Sequence, residues 1–233
     1  MSAEMDWDAL DVLWRERHEP DQLRQLIKTL GYAGWEKTVM FGYPFLWRAA
    51  RLSHFLAMQS HEANKPDEAQ RSYETGAEQA RQAVQKDVHG VEGHFWYGVN
   101  LIETARRQSW LAGARALPAA MRQIERAVAI DEEYYFAGPL RVWGRMMHRK
   151  PLILGGSVDR ALDIYHRALQ IAPHNSTTLI YYAEALIDDK QIPTARQIVN
   201  QILHAADDPD WRWEQARDRR LAAELLKPIE VEK

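Results

Sequence analysis

Small and apolar residues recur along the chain at steps of four and then three. This spacing places them on one face of a helix, where small side chains let a neighbouring helix approach closely. The same offsets therefore predict a series of closely packed helices. The four copies are Ala69–Tyr73–Gly76, Ala120–Ile124–Ala127, Ala161–Tyr165–Ala168 and Ala195–Val199–Ile202.

A second helical pattern precedes each copy, with a small residue shortly after an aromatic one. The small residues are Ala50, Gly98, Gly144 and Ala183. The distance from this residue to the first residue of the following copy varies from 12 positions for Ala183 to 22 for Gly98. The sequence thus predicts helix pairs joined by loops of varying length.

Small and aromatic residues at these offsets, with Pro173 closing the third copy, resemble tetratricopeptide repeats. The resemblance covers residues 44–207 as four degenerate repeats, and it implies an all-α fold. In that fold, antiparallel helix pairs stack in a right-handed solenoid. Here the solenoid would carry loop insertions.

The flanking segments extend this array into one helical-repeat domain over residues 1–233. Apolar residues at helical spacing predict an N-terminal helix pair over residues 6–31 and a C-terminal capping helix over residues 211–226. We expect the capping helix to turn Trp213, Ala216, Leu221 and Leu225 inward. The insertion from Ala105 to Pro118 is a candidate lid or homo-oligomer contact, and an exposed Trp110 would support the contact.

A narrower resemblance is carried by five parts of the chain: 73–76, 91–96, 138–145, Pro151 and 155–161. These segments are similar to the TRAP transporter T-component family. The resemblance implies a helical-repeat accessory protein of a solute transporter, which assists the substrate-binding component and is typically a periplasmic lipoprotein. The chain has no signal-peptide pattern and no cysteine to carry a lipid, so we expect a cytoplasmic location, and a periplasmic one only if a signal was removed.

Composition narrows the function further. A net charge of −3 and a pI near 6.3 give no global bias toward nucleic acid. The absence of cysteine excludes disulfides, thiolate metal sites and a cysteine nucleophile. No apolar run approaches the length of about 18 residues that a membrane-spanning helix needs.

Enzyme signatures are lacking. Neither a phosphate-binding loop, a nucleophile elbow nor a dinucleotide fingerprint occurs. The histidine pairs His54/His61 and His89/His94 lack a third ligand, so we expect no metal and no cofactor. The prediction is a protein that is not an enzyme.

The remaining candidate site is the groove that the first helices of the pairs would line. Arg141 and Arg145 lie one turn apart and could grip a carboxylate or phosphate in bidentate fashion. The alternative is that either arginine pairs with an acid of a neighbouring repeat, such as Glu184 or Glu103. The predicted groove residues are Trp47, Arg51, Phe95, Val99, Ile102, Arg141, Arg145, His148, Ile180 and Glu184.

Two functions follow from these patterns. The first is a non-catalytic scaffold that binds a protein or peptide partner, with an acidic end, in the groove. The second is a TRAP-type accessory protein that holds a small amphiphilic organic acid.

Overall fold

The computed structural model describes residues 5–31, 35–152 and 155–231, with side chains given for residues 5–30, 42–152 and 155–227. The regular elements within these ranges are helices. Helix–helix contacts divide the chain into two compact units, residues 1–131 and 132–233. The prediction of one domain over residues 1–233 stays a prediction.

Among the described residues, the first unit contains six helices and a π-helical turn, and the second contains five helices. In the first unit these are α1 (Trp7–Arg15), α2 (Pro20–Leu26), the π-helical turn (Ile27–Gly31), α3 (Trp35–Glu62), α4 (Pro66–Lys86), α5 (Val91–Gln108) and α6 (Trp110–Ile130). In the second unit they are α7 (Tyr134–Arg149), α8 (Val158–Ile171), α9 (Ser176–Asp188), α10 (Ile192–His204) and α11 (Arg212–Val231).

Helix starts follow from local chemistry. Pro20 and Pro66 occupy first-turn positions, where the missing N–H costs nothing. Polar side chains accept a backbone N–H at other starts, among them Ser109 from Ala112 at 3.1 Å, Ser157 from Arg160 at 3.2 Å, and Asn175 from Thr178 at 3.0 Å. Each bond satisfies one of the free donors that a helix start leaves.

The predicted helix pairs are confirmed within both units. Helices α3 and α4, α5 and α6, α7 and α8, and α9 and α10 contact each other as neighbours along the chain. The first helices of successive pairs also meet, α3 with α5 and α7 with α9. The fold is therefore all-α and built from stacked antiparallel helix pairs, as the tetratricopeptide-like pattern predicted.

The prediction that loops of varying length join the helices of each pair is mostly wrong. One residue, Ser109, joins α5 to α6, and three residues join α3 to α4. The extra chain lengthens the helices instead, since α5 has 18 residues and α6 has 21. The predicted insertion from Ala105 to Pro118 accordingly lies in these two helices, apart from Ser109. Among the helices that the structure describes, the widest separation along the chain within a pair is between α7, which ends at Arg149, and α8, which begins at Val158.

The capping helix α11 packs against α9 and α10, and of the four residues predicted to face inward Leu225 packs against the apolar core there. Ala216 and Leu221 are exposed, and Trp213 and Leu225 are only partly buried. The buried residues of the segment are Trp211, Glu214, Gln215, Asp218 and Ala222. Apart from Leu225, the predicted register was wrong because the packed face of α11 is largely polar.

A buried hydroxyl in the second unit yields a prediction about stability. Tyr165 is fully buried, and its hydroxyl has no hydrogen-bond partner among the described residues. Burial raises the pKa of this phenol, so it stays neutral. We expect Tyr165→Phe to leave the free energy of unfolding unchanged or to raise it by up to about 1 kcal/mol, because a buried unpaired hydroxyl carries only a desolvation cost. Urea unfolding followed by circular dichroism measures the difference.

The matched control is Tyr43→Phe. The Tyr43 hydroxyl donates to Glu92 at 2.8 Å and accepts from the Gly93 N–H at 3.2 Å. We expect this control to lower the free energy of unfolding by about 1–2 kcal/mol. A loss of similar size in Tyr165→Phe would show that the Tyr165 hydroxyl has a partner after all.

Candidate functional site

In the first unit, α1 covers the predicted groove residues of α3. Trp47 and Arg51 are both buried. An Arg51 guanidinium nitrogen lies 2.9 Å from an Asp11 carboxylate oxygen, and its Cζ lies 4.1 Å from the centroid of the Trp14 ring. Burial alone would raise the pKa of Asp11, but hydrogen bonds and charge from Arg48 and Arg51 hold it below its usual value. These contacts fix the N-terminal helix on the first repeat.

On α5, the predicted groove residues also contribute mainly to packing. Phe95 and Val99 are buried, and the Phe95 ring packs edge-on against Trp96 with centroids 4.8 Å apart. Ile102 is partly exposed. Of the five predicted groove residues in the first unit, Ile102 is thus the one with substantial access to solvent.

In the second unit, Arg141 is buried and stabilises an unusual backbone turn. Tyr135, Phe136 and Ala137 have φ angles of 52°, 59° and 54°, a left-handed conformation that costs about 1–2 kcal/mol for each residue that is not glycine. Arg141 donates to the Phe136 carbonyl at 3.0 Å and to Asn175 Oδ1 at 3.4 Å. The guanidinium therefore links this turn to the start of α9.

Burial lowers the pKa of the Arg141 guanidinium. No described carboxylate lies within ion-pairing distance of it. The Trp211 ring instead lies 5.3 Å from its Cζ, and the charges of Asp218 and Glu214 act on it from farther away. Arg141 is thus held by a carbonyl, an amide and an aromatic ring.

Arg145, by contrast, forms the ion pair that the alternative interpretation foresaw. Its guanidinium contacts Glu184 of α9, and its Cζ lies 4.2 Å from the centroid of the Tyr181 ring. Arg149 reaches the same carboxylate at 2.5 Å. Two arginines of α7 therefore share one acid of α9.

His148 and Ile180, the remaining predicted residues, are buried. His148 Nε2 lies 2.7 Å from an Asp188 carboxylate oxygen, while its Nδ1 is buried without a partner among the described residues. Burial lowers the pKa of His148, and the positive charges of Arg149 and Arg145 add to this, while Asp188 opposes it. The His148–Asp188 contact is a second link between α7 and α9.

The solvent-facing stripes of α7 and α9 differ from the predicted ones by a small rotation. On α7 they comprise Val142, Arg145 and Arg149, and on α9 Tyr181, Glu184 and Asp188. Arg149, Tyr181 and Asp188 were missed by the sequence analysis. The sequence did indicate two of them. Arg149 follows Arg145 by four positions, and Asp188 follows Glu184 by four, so each pair lies on one helix face.

To hold a metal ion, either of the two histidine pairs would need further ligands beside it. Among the described side chains, no group of three or more histidine, aspartate or glutamate residues could hold one. The His94 ring contacts Gln123 at 2.7 Å and the Val88 carbonyl at 3.0 Å, and His54 contacts Asn100 at 3.1 Å. These imidazoles link neighbouring helices.

A polar cleft of about 560 Å³ lies in the first unit, where α3 ends and α4 begins, beside the end of α5. Its charged and polar side chains already bond one another: Glu103 contacts Arg106 at 2.9 Å, and Gln70 donates to Glu74 at 2.6 Å. The neighbouring Trp110 is 78% exposed. Within the described ranges, no helix is both long and apolar enough to cross a bilayer.

The comparison with protein families supports the repeat interpretation over part of the second unit. A tetratricopeptide repeat family model matches residues 152–219, which contain α8, α9, α10 and the start of α11. No curated protein sequence matches the chain. Among solved structures, the crystal structure of yeast Tom70 is similar at a TM-score of 0.43 and 12% identity, over 79% of this chain and 43% of that one.

The chain thus spans less than half the length of that structure. The narrower resemblance to the TRAP transporter T-component family gains no support from these matches and stays a prediction. What the matched segment shares with other proteins is the tetratricopeptide repeat, over α8, α9, α10 and the start of the cap.

Proposed function

We propose that the chain is a non-catalytic helical-repeat scaffold that binds a protein or peptide partner. The tetratricopeptide repeat match in the second unit supports this role, since stacked helix pairs present extended binding surfaces. The partner surface that we propose is formed by α7 and α9, the first helices of the two pairs in that unit.

The observation that carries the proposal is the shared carboxylate on this surface. Arg145 and Arg149 both contact Glu184, so the three side chains have a net charge of +1. The Arg149 side chain is 56% exposed, and Tyr181 offers an aromatic face beside Arg145. A partner carboxylate could pair with Arg149 without burying an uncompensated charge.

This arrangement favours a partner with an acidic end. Arginine and tyrosine are also the residue types that contribute most often to binding energy at protein interfaces. The proposal assigns partner contact to Arg145, Arg149, Tyr181 and Glu184, and a supporting role to the buried Arg141 and His148. The small-acid transport role rests on sequence resemblance alone.

The test is affinity capture with a matched pair of double variants. Immobilised wild type, Arg145→Ala/Arg149→Ala and Arg160→Ala/Arg167→Ala are incubated with native cell lysate, and bound proteins are quantified by mass spectrometry. Arg160 and Arg167 are exposed on α8, the second helix of the same pair, and serve as the control. We expect at least one protein to bind both the wild type and the control variant. The captured amount of that protein should be about tenfold lower with the Arg145→Ala/Arg149→Ala variant, because the charge-assisted contacts are lost.

Circular dichroism checks that all three proteins remain helical. The same set of bound proteins at the same levels on all three would contradict the proposed surface. Arg141 is left unchanged in this test, because its loss would release the left-handed turn that it holds.

A further inference from the structure

The first unit contains a long basic segment without acidic residues. Between Glu103 and Glu125, residues 104–124 include four arginines and no aspartate, glutamate or lysine. Their formal charge is +4, in a chain whose net charge is −3. The segment comprises the end of α5 and most of α6.

Helix α6 carries two of these four arginines, Arg115 and Arg122, and both are exposed. Its packed face is formed by Ala120, Ile124 and Ala127, all fully buried. The opposite face follows steps of three and four residues from Leu111 along the helix. We name this surface the α6 face; its members, all exposed, are Trp110, Leu111, Arg115, Pro118, Arg122, Glu125 and Arg126.

The charges on the α6 face are available to a partner. Among the side chains that the structure describes, no carboxylate lies within ion-pairing distance of Arg115, Arg122 or Arg126. Arg106 and Arg107, at the end of α5, share the single carboxylate of Glu103. Counting these five arginines against Glu103 and Glu125 leaves a net charge of +3 over residues 103–126.

The apolar part of the α6 face lies at the N-terminal end of the helix, and we call its two residues, Trp110 and Leu111, the tip. Trp110 is 78% exposed and Leu111 is 50% exposed, and they begin the helix directly after the one-residue turn at Ser109. The next three residues, 112–114, are alanine or glycine. The tip therefore projects from the end of a helix hairpin.

We propose that the α6 face docks on an anionic lipid surface. A flat surface accepts a projecting tryptophan and leucine without a complementary pocket, and tryptophan prefers the boundary between headgroups and acyl chains. Three unpaired arginines extend from this tip over about 24 Å along the helix, within reach of a plane of lipid headgroups. An acidic protein would satisfy the charges but would also need a pocket for the tip.

This docking goes beyond the proposed function, which uses α7 and α9. It involves no bilayer-spanning helix. It would bring the scaffold to a membrane by a surface contact that weakens with salt.

Vesicle sedimentation with the full chain tests the proposal. The probes are large unilamellar vesicles of phosphatidylcholine, with and without about one third phosphatidylglycerol. We expect binding to the anionic vesicles to be at least about tenfold stronger than to the neutral ones, and to fall as sodium chloride is added. Trp110→Ala/Leu111→Ala and Arg115→Gln/Arg122→Gln should each weaken binding by about tenfold or more.

Two control variants carry matched changes elsewhere. Leu152→Ala removes an apolar side chain that is 80% exposed in the second unit, and Arg71→Gln/Arg160→Gln removes two exposed arginines from α4 and α8. Both should bind like wild type. Protection of Trp110 from acrylamide quenching gives an independent readout, since it is the most exposed tryptophan among the described side chains.

The absence of binding to anionic vesicles would overturn the proposal, as would equal losses in the α6 and control variants. Binding to soluble poly-glutamate without binding to vesicles would also overturn it, and would assign the face to an acidic protein instead.

Discussion

Asp218→Ala should lower the free energy of unfolding of the second unit by about 3–5 kcal/mol. Asp218 is fully buried in α11, and its carboxylate accepts hydrogen bonds from Ser176 at 2.7 Å and Thr177 at 2.6 Å. Arg217 donates to its other oxygen at 2.6 Å. Removing the carboxylate leaves a largely buried guanidinium and two buried hydroxyls without their acceptor. Removing one partner of a buried pair is strongly destabilising because the other partner stays buried and unpaired.

The affected bonds lie at the junction of the cap with the last repeat. Ser176 and Thr177 form the first turn of α9, and the Trp211 indole N–H donates to the Thr177 hydroxyl at 3.1 Å. Loss of Asp218 should therefore loosen α11 from α9 before the repeat itself unfolds. Urea unfolding followed by circular dichroism measures the loss, and Trp211 fluorescence reports the cap.

The control is Asp207→Ala. Asp207 pairs with Arg219 at 2.8 Å, but its side chain is 66% exposed, so we expect a change of less than about 1 kcal/mol. Similar small effects for both variants would contradict the argument and would mean that burial of Asp218 does not govern the attachment of the cap.

This polar junction explains why the cap could be predicted from the sequence but its packed face could not. Helical spacing and the aspartate-rich turn before Trp211 mark a terminal helix. A search for apolar residues then selects Leu221, yet Asp218 is the residue that faces α9. Its partners lie 41 and 42 positions away, and no local pattern announces a pairing at that distance.

The helix pairs, by contrast, could be predicted because their contacts follow from local sequence patterns. A small residue in one helix and an apolar residue in the next specify a close approach through local sequence alone. In the structure, a Cβ atom on Gly98 would lie 2.6 Å from Ile124 Cδ1. The sequence offsets therefore identified the residues that pack within each pair.

The candidate surface was predicted only in part. The predicted stripes on α7 and α9 share Arg145 and Glu184 with the solvent-facing ones, but the rest of each stripe is rotated toward the following residue. Each of these helices packs against helices on two sides, so the face left to solvent is narrow. A rotation of less than one residue step is then enough to exchange the buried Arg141 for its neighbour Val142.

Gly144→Leu should lower the free energy of unfolding by about 3 kcal/mol, because it overpacks the contact between α7 and α8. A Cβ atom at this position would lie 2.7 Å from Cε1 and 2.9 Å from Cδ1 of Tyr165. The Tyr165 ring is fully buried and packs against Tyr181 and Tyr182, so it cannot turn aside as a flexible side chain would. Replacing a glycine within a helix also has a stabilising effect through helix propensity. That effect is only about 1 kcal/mol for alanine relative to glycine, which is smaller than the expected packing cost.

A double-mutant cycle isolates this contact from the rest of the helix pair. Gly144→Ala alone should cost about 1–2 kcal/mol, but in a Tyr165→Leu background it should cost nothing or stabilise, because a shorter side chain frees the space. Gly113→Ala is the control, since its nearest neighbour at 3.2 Å is Cγ of the flexible Arg106 side chain, and it should be close to neutral. Equal costs of Gly144→Ala in both backgrounds would show that the penalty comes from elsewhere, and that close approach to Tyr165 is not why glycine stands at this position.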